Sequence, residues 1–367
     1  MASRILIHCD LDAFFASVET LHHDLDPDVP LIIGSDPQGG QGRGIVSTCN
    51  YAAREYGVRS AMPISEAWRR CPAKPVGNAT YMRGSHRLYR RASNMVMDIL
   101  KSEADKFEQA SIDEAYLDVT ECCESDWNRA EALARRLQQR ILDELQLGAS
   151  FGIGPTRVAA KMASEARKPA GVFLVPPDGL EQFFSSHPCR AVPGIGPKAA
   201  QLLGEMGIMT LADAYAEGID SLIGAFGQRR AESLWRILQG ESSDEVSALR
   251  SRKSIGKERT FPRDIDDPSV VFDMLSTLIH RVSGKLNSLE ITARNLEVKL
   301  RYKGFETLSH AMSLAVSMDD EEVFQRIAPR LLANVYDTER SVRLIGFRLS
   351  DLEAPPDRQV TLDQFDH

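Results

Sequence analysis

An apolar tripeptide running straight into alternating acids is the strongest constraint on what this chain can fold into. Ile5-Leu6-Ile7 leads to Asp10 and Asp12, and the adjacent aromatics Phe14 and Phe15 open a helix-compatible Ala16-Ser17-Val18-Glu19. Such a run reads as a strand that delivers carboxylates to the end of a sheet, where they can meet solvent and a metal ion. A plain strand-to-helix turn with a capping Asp has the same pattern. A second acidic pair weighs against that reading. Within 107–119, Ser111-Ile112-Asp113-Glu114 fits the tight turn of a hairpin, and strand-like alternation follows. Two consecutive carboxylates beside buried strands are costly unless something cationic neutralises them, and a divalent ion does so directly through hard oxygen ligands.

Other segments read as follows. Pro30-Leu31-Ile32-Ile33-Gly34 predicts a short buried strand, and the Gly-rich loop at 39–44 lacks the Lys-Ser/Thr ending of a P-loop, so it reads as a turn. A strand then runs into a helix across 45–54. If Tyr51 starts that helix, Arg54 shares its face, and a hydroxyl beside a guanidinium fork grips a triphosphate well. A surface Arg on a packed helix has the same spacing. Helices are predicted over 81–101, over 131–145 and from Pro155 to about Lys168, with a strand at 149–154. Strands and helices alternate without βαβ regularity, which predicts an α+β sheet domain. Short helices begin near 180, and Val192-Pro193-Gly194-Ile195-Gly196-Pro197-Lys198 places two glycines in a turn ahead of one of them. Gly194, Gly196 and Lys198 resemble a helix–hairpin–helix element, which holds a DNA backbone without reading sequence; a plain interhelical turn is the alternative.

The polar stretch at 241–252 reads as a tether, and 253–349 follows a β-α-β-β-α-β order. By parity Lys253, Lys257 and Arg259 share one strand face, as do Lys299 and Arg301 on another, and basic sheet faces suit a phosphate backbone. Charge matters here because the whole chain, at −8, argues weakly against nucleic acid. Residues 250–350 carry 17 Lys and Arg against 14 Asp and Glu, so the C-terminal part is the basic one. With 367 residues the chain has room for two to four domains. It shows neither a membrane-length apolar run nor a secretory signal, and its six cysteines lack metal or disulfide spacing, which points to reduced thiols in the cytoplasm.

Six segments in order, HCDLDAFFASVE, STCNYAAREYGVRSAMP, ASIDEAYLDVT, FGIGPTRVAAKMASEARKPAG, VPGIG and RKSIG, resemble the Y-family (translesion) DNA polymerases, most closely the DNA polymerase IV branch. The resemblance implies a multidomain α+β right hand: palm at 2–11 and 73–165, fingers at 12–72, a helical thumb with helix–hairpin–helix at 166–240, a linker at 241–250, a little finger at 251–350 and a flexible tail at 351–367. It implies that Asp10, Asp113 and Glu114 are the catalytic carboxylates, holding two Mg²⁺ with the Leu11 carbonyl, and that Mn²⁺ can substitute. Asp12 takes a supporting role. Phe14, Phe15, Thr48, Tyr51, Arg54 and Lys168 would bind the incoming dNTP, with Phe15 excluding a 2′-hydroxyl. Val46, Ser47, Ala61 and Met62 would surround the nascent base pair. Gly194, Gly196, Lys198, Lys253, Lys257 and Arg259 would contact primer–template DNA. Gln359, Leu362 and Phe365 resemble a sliding-clamp-binding peptide, with Asp366 standing where a second aromatic is common. A cytoplasmic monomer without membrane attachment is expected. Two other readings stand beside this one: a nucleotidyl cyclase-like palm enzyme, and a DNA-binding scaffold that has kept the fold.

Overall fold

The computed structural model describes residues 4–241, 245–247 and 252–354. The chain divides into two compact units, Met1–Leu249 and Arg250–His367. The first opens with β1 (Leu6–Leu11), α1 (Phe14–His23), β2 (Leu31–Gly34), β3 (Val46–Cys49), α2 (Tyr51–Glu55), α3 (Ile64–Arg70) and β4 (Thr80–Met82). It continues with α4 (His86–Lys101), β5 (Lys106–Gln109), β6 (Glu114–Asp118), α5 (Trp127–Leu145), β7 (Ala149–Gly154), α6 (Arg157–Glu165) and β8 (Val172–Leu174). Four helices close it: α7 (Leu180–Ser185), α8 (Pro197–Glu205), α9 (Leu211–Phe226), kinked at Gly218, and α10 (Gln228–Leu238).

β1 lies at the centre of a five-stranded sheet ordered β5-β6-β1-β7-β8, antiparallel to both of its neighbours and buried along its whole length. Strand alternation sorts its side chains. Ile7, Cys9 and Leu11 join the main core with residues of α4 and α5, whereas Leu6 packs with Tyr116 and with Ala160 of α6. His8 and Asp10 share the parity of Leu6 and so face the α6 side. α6 lies directly on β7: a Cβ on Gly152 would come within 2.0 Å of the Ala160 carbonyl oxygen and 2.2 Å of the Ser164 amide. Thr156 caps α6 by accepting the Ala159 amide, so Pro155 precedes the cap and is not in the first turn.

β3, β2 and β4 form a second, three-stranded sheet. Asn50 secures it, accepting the Ala53 amide at the start of α2 and the Leu31 amide of β2, and donating to the Pro27 and Val29 carbonyls. The sheets cross the boundaries expected from sequence. β4 pairs with β2 although 80–82 was expected in the palm, and β8 belongs to the palm sheet although 172–174 was expected in the thumb. Phe14 and Val18 of α1 pack into the palm core. Within the 241–252 stretch, Val246 is buried beside Leu6, Tyr116 and Ala160, and the Ser247 amide donates to Glu108, so this part of the tether is docked.

The second unit contains β9 (Ser254–Ile265), α11 (Pro268–Asn287), β10 (Thr292–Tyr302), β11 (Thr307–Met318), α12 (Glu321–Ala333) and β12 (Val342–Glu353), in the β-α-β-β-α-β order read from the sequence. Its antiparallel sheet runs β11-β10-β12-β9, and Val298, Leu300, Ile345 and Phe347 form one core with residues of both helices. The register decides which side of the sheet each basic set takes. Lys257 lies opposite Phe347 and Arg259 opposite Ile345, so both belong to the helix-covered face, where they line a hollow with Thr277 and Arg281 of α11. Lys299 lies across Gly346 from Glu258, on the open face, and Lys253 precedes the strand. The two basic sets point to opposite sides of the sheet.

Candidate active site

Antiparallel pairing of β1 with β6 sets Asp10 directly opposite Glu114, and the Leu11 amide donates to the Asp113 carbonyl at 3.0 Å. Acids 103 and 104 residues apart therefore meet at one end of the sheet. Ser111 closes the hairpin turn. Its hydroxyl bonds the Asp113 carboxylate and accepts the Asp113 and Glu114 amides at 3.1 and 3.0 Å.

Lysines neutralise two of the three acids. Lys168 Nζ is 2.7 Å from Asp10 Oδ1 and 2.7 Å from Glu165 Oε1, and Lys161 Nζ donates to Glu114 Oε1. Burial pushes the Asp10 carboxyl up to about 7, with the Lys168 ammonium opposing it. Burial would lower Lys168, but Asp10 and Glu165 outweigh it and the ammonium is held above its usual range. Behind the acids, burial and then the charges of Lys161 and Lys168 hold His8 well below the usual imidazole range. Among the described residues no three His, Cys, Asp or Glu side chains are gathered into a metal-binding cluster. The donor set nevertheless fits a hard cation: Asp10 and Glu114 present carboxylate oxygens from facing strands, and each already takes a positive charge.

Asp12 is occupied differently. It accepts from Ser150 Oγ at 2.8 Å, from the Ala170 amide at 2.8 Å and from the Tyr51 hydroxyl at 3.4 Å. With its oxygens spent on these donors, Asp12 ties the end of β1 to the segment that carries Lys168 and to α2. The helix begins at Tyr51, and the Arg54 guanidinium lies 4.5 Å above the Tyr51 ring centre, so the two share one face. Thr48 is half-buried on β3.

Phe14 and Phe15 part company. Phe14, expected beside the nucleotide, has its side chain buried in the core. Phe15 is half-buried and stacks on Tyr89 with ring centres 4.1 Å apart and planes within 9°. The Tyr89 hydroxyl donates to buried Glu19, which also accepts the Ser85 amide at 3.1 Å. A fixed platform therefore backs the Phe15 ring. Of the residues expected around a nascent base pair, Val46 is fully buried in the fingers core, Ser47 and Ala61 are exposed and Met62 is half-buried. Gly194 has φ +97°, and open space surrounds it and Gly196 at the start of α8, which carries exposed Lys198. Gln359, Leu362 and Phe365 lie outside the described residues.

Lys161, His8, Ser111, Tyr89 and Glu19 were not among the residues expected from sequence. Lys161 lies on α6 and Lys168 three residues past its end, so the two lysines of this one segment were the available signal.

Residues 9–165 match the impB/mucB/samB family and residues 252–362 its C-terminal domain. A DNA polymerase IV from Methanoculleus marisnigri is 38% identical over 363 residues, covering 99% of this chain and 98% of that protein. A DNA polymerase IV from Streptococcus thermophilus is 37% identical over 361 residues, 98% of this chain and 96% of its own. A Y-family DNA polymerase chimera of Dbh and Dpo4 superimposes with a TM-score of 0.86 at 31% identity, covering 95% of this chain and 99% of that one. An insertion ternary complex of Dbh DNA polymerase gives 0.66 at 30% identity, over 94% and 98%. With similarity of this extent in sequence and in fold, the chain belongs to the Y-family DNA polymerases, in the DNA polymerase IV branch.

Proposed function

We propose that this protein is a template-directed DNA polymerase that adds deoxynucleotides to a primer 3′-hydroxyl with low fidelity, in translesion synthesis. The observation that carries the reading is the pairing of Asp10 with Glu114, beside Asp113, in a chain whose full-length relatives are DNA polymerases. Asp10, Asp113, Glu114 and the Leu11 carbonyl would hold two Mg²⁺, or Mn²⁺ in their place. When bound, such ions activate the primer hydroxyl and neutralise the triphosphate and the leaving pyrophosphate.

The chain's own residues bind and orient. Tyr51, Arg54, Thr48 and Lys168 would take the triphosphate, which requires the Lys168 ammonium to leave Asp10 for the phosphates. Phe15, braced by Tyr89, would close off the space beside the sugar C2′. Exposed Ser47 and Ala61 favour a loosely fitting base pair, which weakens shape-based selection. Gly194, Gly196 and Lys198 would hold the duplex backbone, together with basic residues of the C-terminal unit. The six free thiols suit a reducing cytoplasm, and no described helix is long and apolar enough to cross a membrane. The protein would act as a monomer and engage a sliding clamp through Gln359, Leu362 and Phe365. Deleting 359–367 should reduce clamp-stimulated synthesis and spare basal activity; equal stimulation after deletion would remove the clamp proposal.

Primer extension on undamaged and damaged templates tests the main reading. Template-directed dNTP addition supports it. Cyclisation of free ATP or GTP would favour the cyclase-like alternative, and DNA binding with no addition would favour the scaffold.

A further inference from the structure

His8 lies on β1 two residues before Asp10 and is fully buried. Its ring is packed 4.6 Å from the Tyr116 ring, and its Nδ1 is 2.8 Å from Ser164 Oγ on α6. The other nitrogen, Nε2, is buried with no hydrogen-bond partner, and a Glu114 carboxylate oxygen, Oε2, lies 4.0 Å away. An imidazole with one ring proton can place it on either nitrogen, and a buried unmatched nitrogen aimed at a carboxylate calls for an account.

The Ser164 hydroxyl decides where that proton goes, because it has one hydrogen and two acceptors in reach. It can donate to the Lys161 carbonyl at 2.8 Å or to His8 Nδ1 at 2.8 Å. The Lys161 carbonyl lies inside α6, where the main-chain amide four residues on already uses it, so it loses little if Ser164 turns away. The field of Glu114 favours the second choice: a bare Nε2 lone pair is repelled by the carboxylate, whereas an Nε2–H is attracted. We propose that His8 is a positioning residue for Glu114, with the Ser164 hydroxyl donating to Nδ1 and the Nε2 proton directed at Oε2. Lys161 holds Oε1, so the two groups bracket one carboxylate from different sides. Closing from 4.0 Å to hydrogen-bond length takes a movement of about 1 Å, open to Glu114 because it is only half-buried. When Oε1 leaves Lys161 for a cation, His8 would keep the carboxylate from swinging. This inference rests on Glu114 being a metal-binding carboxylate; the protonation pattern of the His8 ring does not.

Two measurements test it. In ¹⁵N-histidine-labelled protein free of metal, long-range ¹H–¹⁵N correlation reports which ring nitrogen is protonated, with His8→Gln identifying the signals. Nε2–H is expected, and Nδ1–H with a bare Nε2 would overturn the proposal. Mn²⁺ affinity without nucleotide is the second readout. His8→Phe should weaken it about tenfold, and His8→Gln, whose amide can donate, should recover most of the loss. Ser164→Ala keeps the ring while freeing Nδ1, and should shift the ring toward Nδ1–H and weaken Mn²⁺ in the same direction, which serves if His8→Phe does not fold. Parental Mn²⁺ affinity in both His8→Phe and Ser164→Ala would overturn the inference. Failure of the unmutated protein to bind Mn²⁺ would instead count against the metal role of Glu114, and the NMR result would stand on its own.

Discussion

At the residue scale, the site is a set of acids whose charges are answered one by one. Asp10 is buried and held by Lys168, Glu114 by Lys161, and Asp113 by Ser111. Replacing Asp113 and Glu114 together by Ala should abolish nucleotide addition while primer–template binding persists; loss of both in a gel-shift and extension pair would instead indicate unfolding. Phe15→Ala should admit ribonucleotides, lowering dNTP-over-rNTP selectivity about 10- to 100-fold with DNA synthesis retained, measured as the ratio of kcat/KM values. Unchanged selectivity would take sugar discrimination away from Phe15. The neighbouring pair was only half legible. Two adjacent aromatics look equivalent in a sequence, but the helical turn of α1 sends Phe14 into the palm core and leaves Phe15 on Tyr89. Likewise Asp10 and Asp12 look alike until Ser150, Ala170 and Tyr51 are seen to occupy Asp12.

At the element scale, α6 connects sheet and chemistry, because it carries Lys161 and Ser164 and leads to Lys168. It reaches the acids only because Gly152 has no side chain. A methyl there would meet the α6 backbone at 2.0–2.2 Å, and backbone cannot rotate aside as a side chain can. Gly152→Ala should therefore destabilise the protein by about 1–3 kcal/mol and depress activity further by displacing α6. Urea unfolding compared with extension rates checks both parts, and parental stability would show that α6 shifts without cost. Strand and helix order in the C-terminal unit was readable because its segments are periodic, with Pro268 opening one helix and Gly304 in the turn of the central hairpin. The facing of β9 was not. Lys257 and Arg259 keep their shared parity, but pairing with β12 turns them to the helix-covered side, and parity within one strand says nothing about which side of the sheet it meets.

At the scale of the whole molecule, an acidic chain carries a C-terminal unit with its own core and β-α-β-β-α-β topology, in which residues 250–350 hold 17 Lys and Arg against 14 Asp and Glu. The register makes a specific prediction about how that unit would hold DNA. If the open sheet face meets the phosphate backbone, Lys299→Ala with Arg301→Ala should flatten the dependence of log affinity on log salt by about 2, near 0.9 per phosphate contact. Lys257→Ala with Arg259→Ala should change it less, and the reverse ranking would place the backbone against the edge beside α11. By itself the sequence determined the element order of the C-terminal unit, the two acidic centres and the family, because these depend on local periodicity and on motifs contiguous in the chain. Only the tertiary structure decided which acid is tied up, which aromatic enters the core, which lysine answers Glu114 and where the sheet's charges point. Those outcomes depend on strand register and on contacts between residues tens to more than a hundred positions apart, which no local pattern encodes.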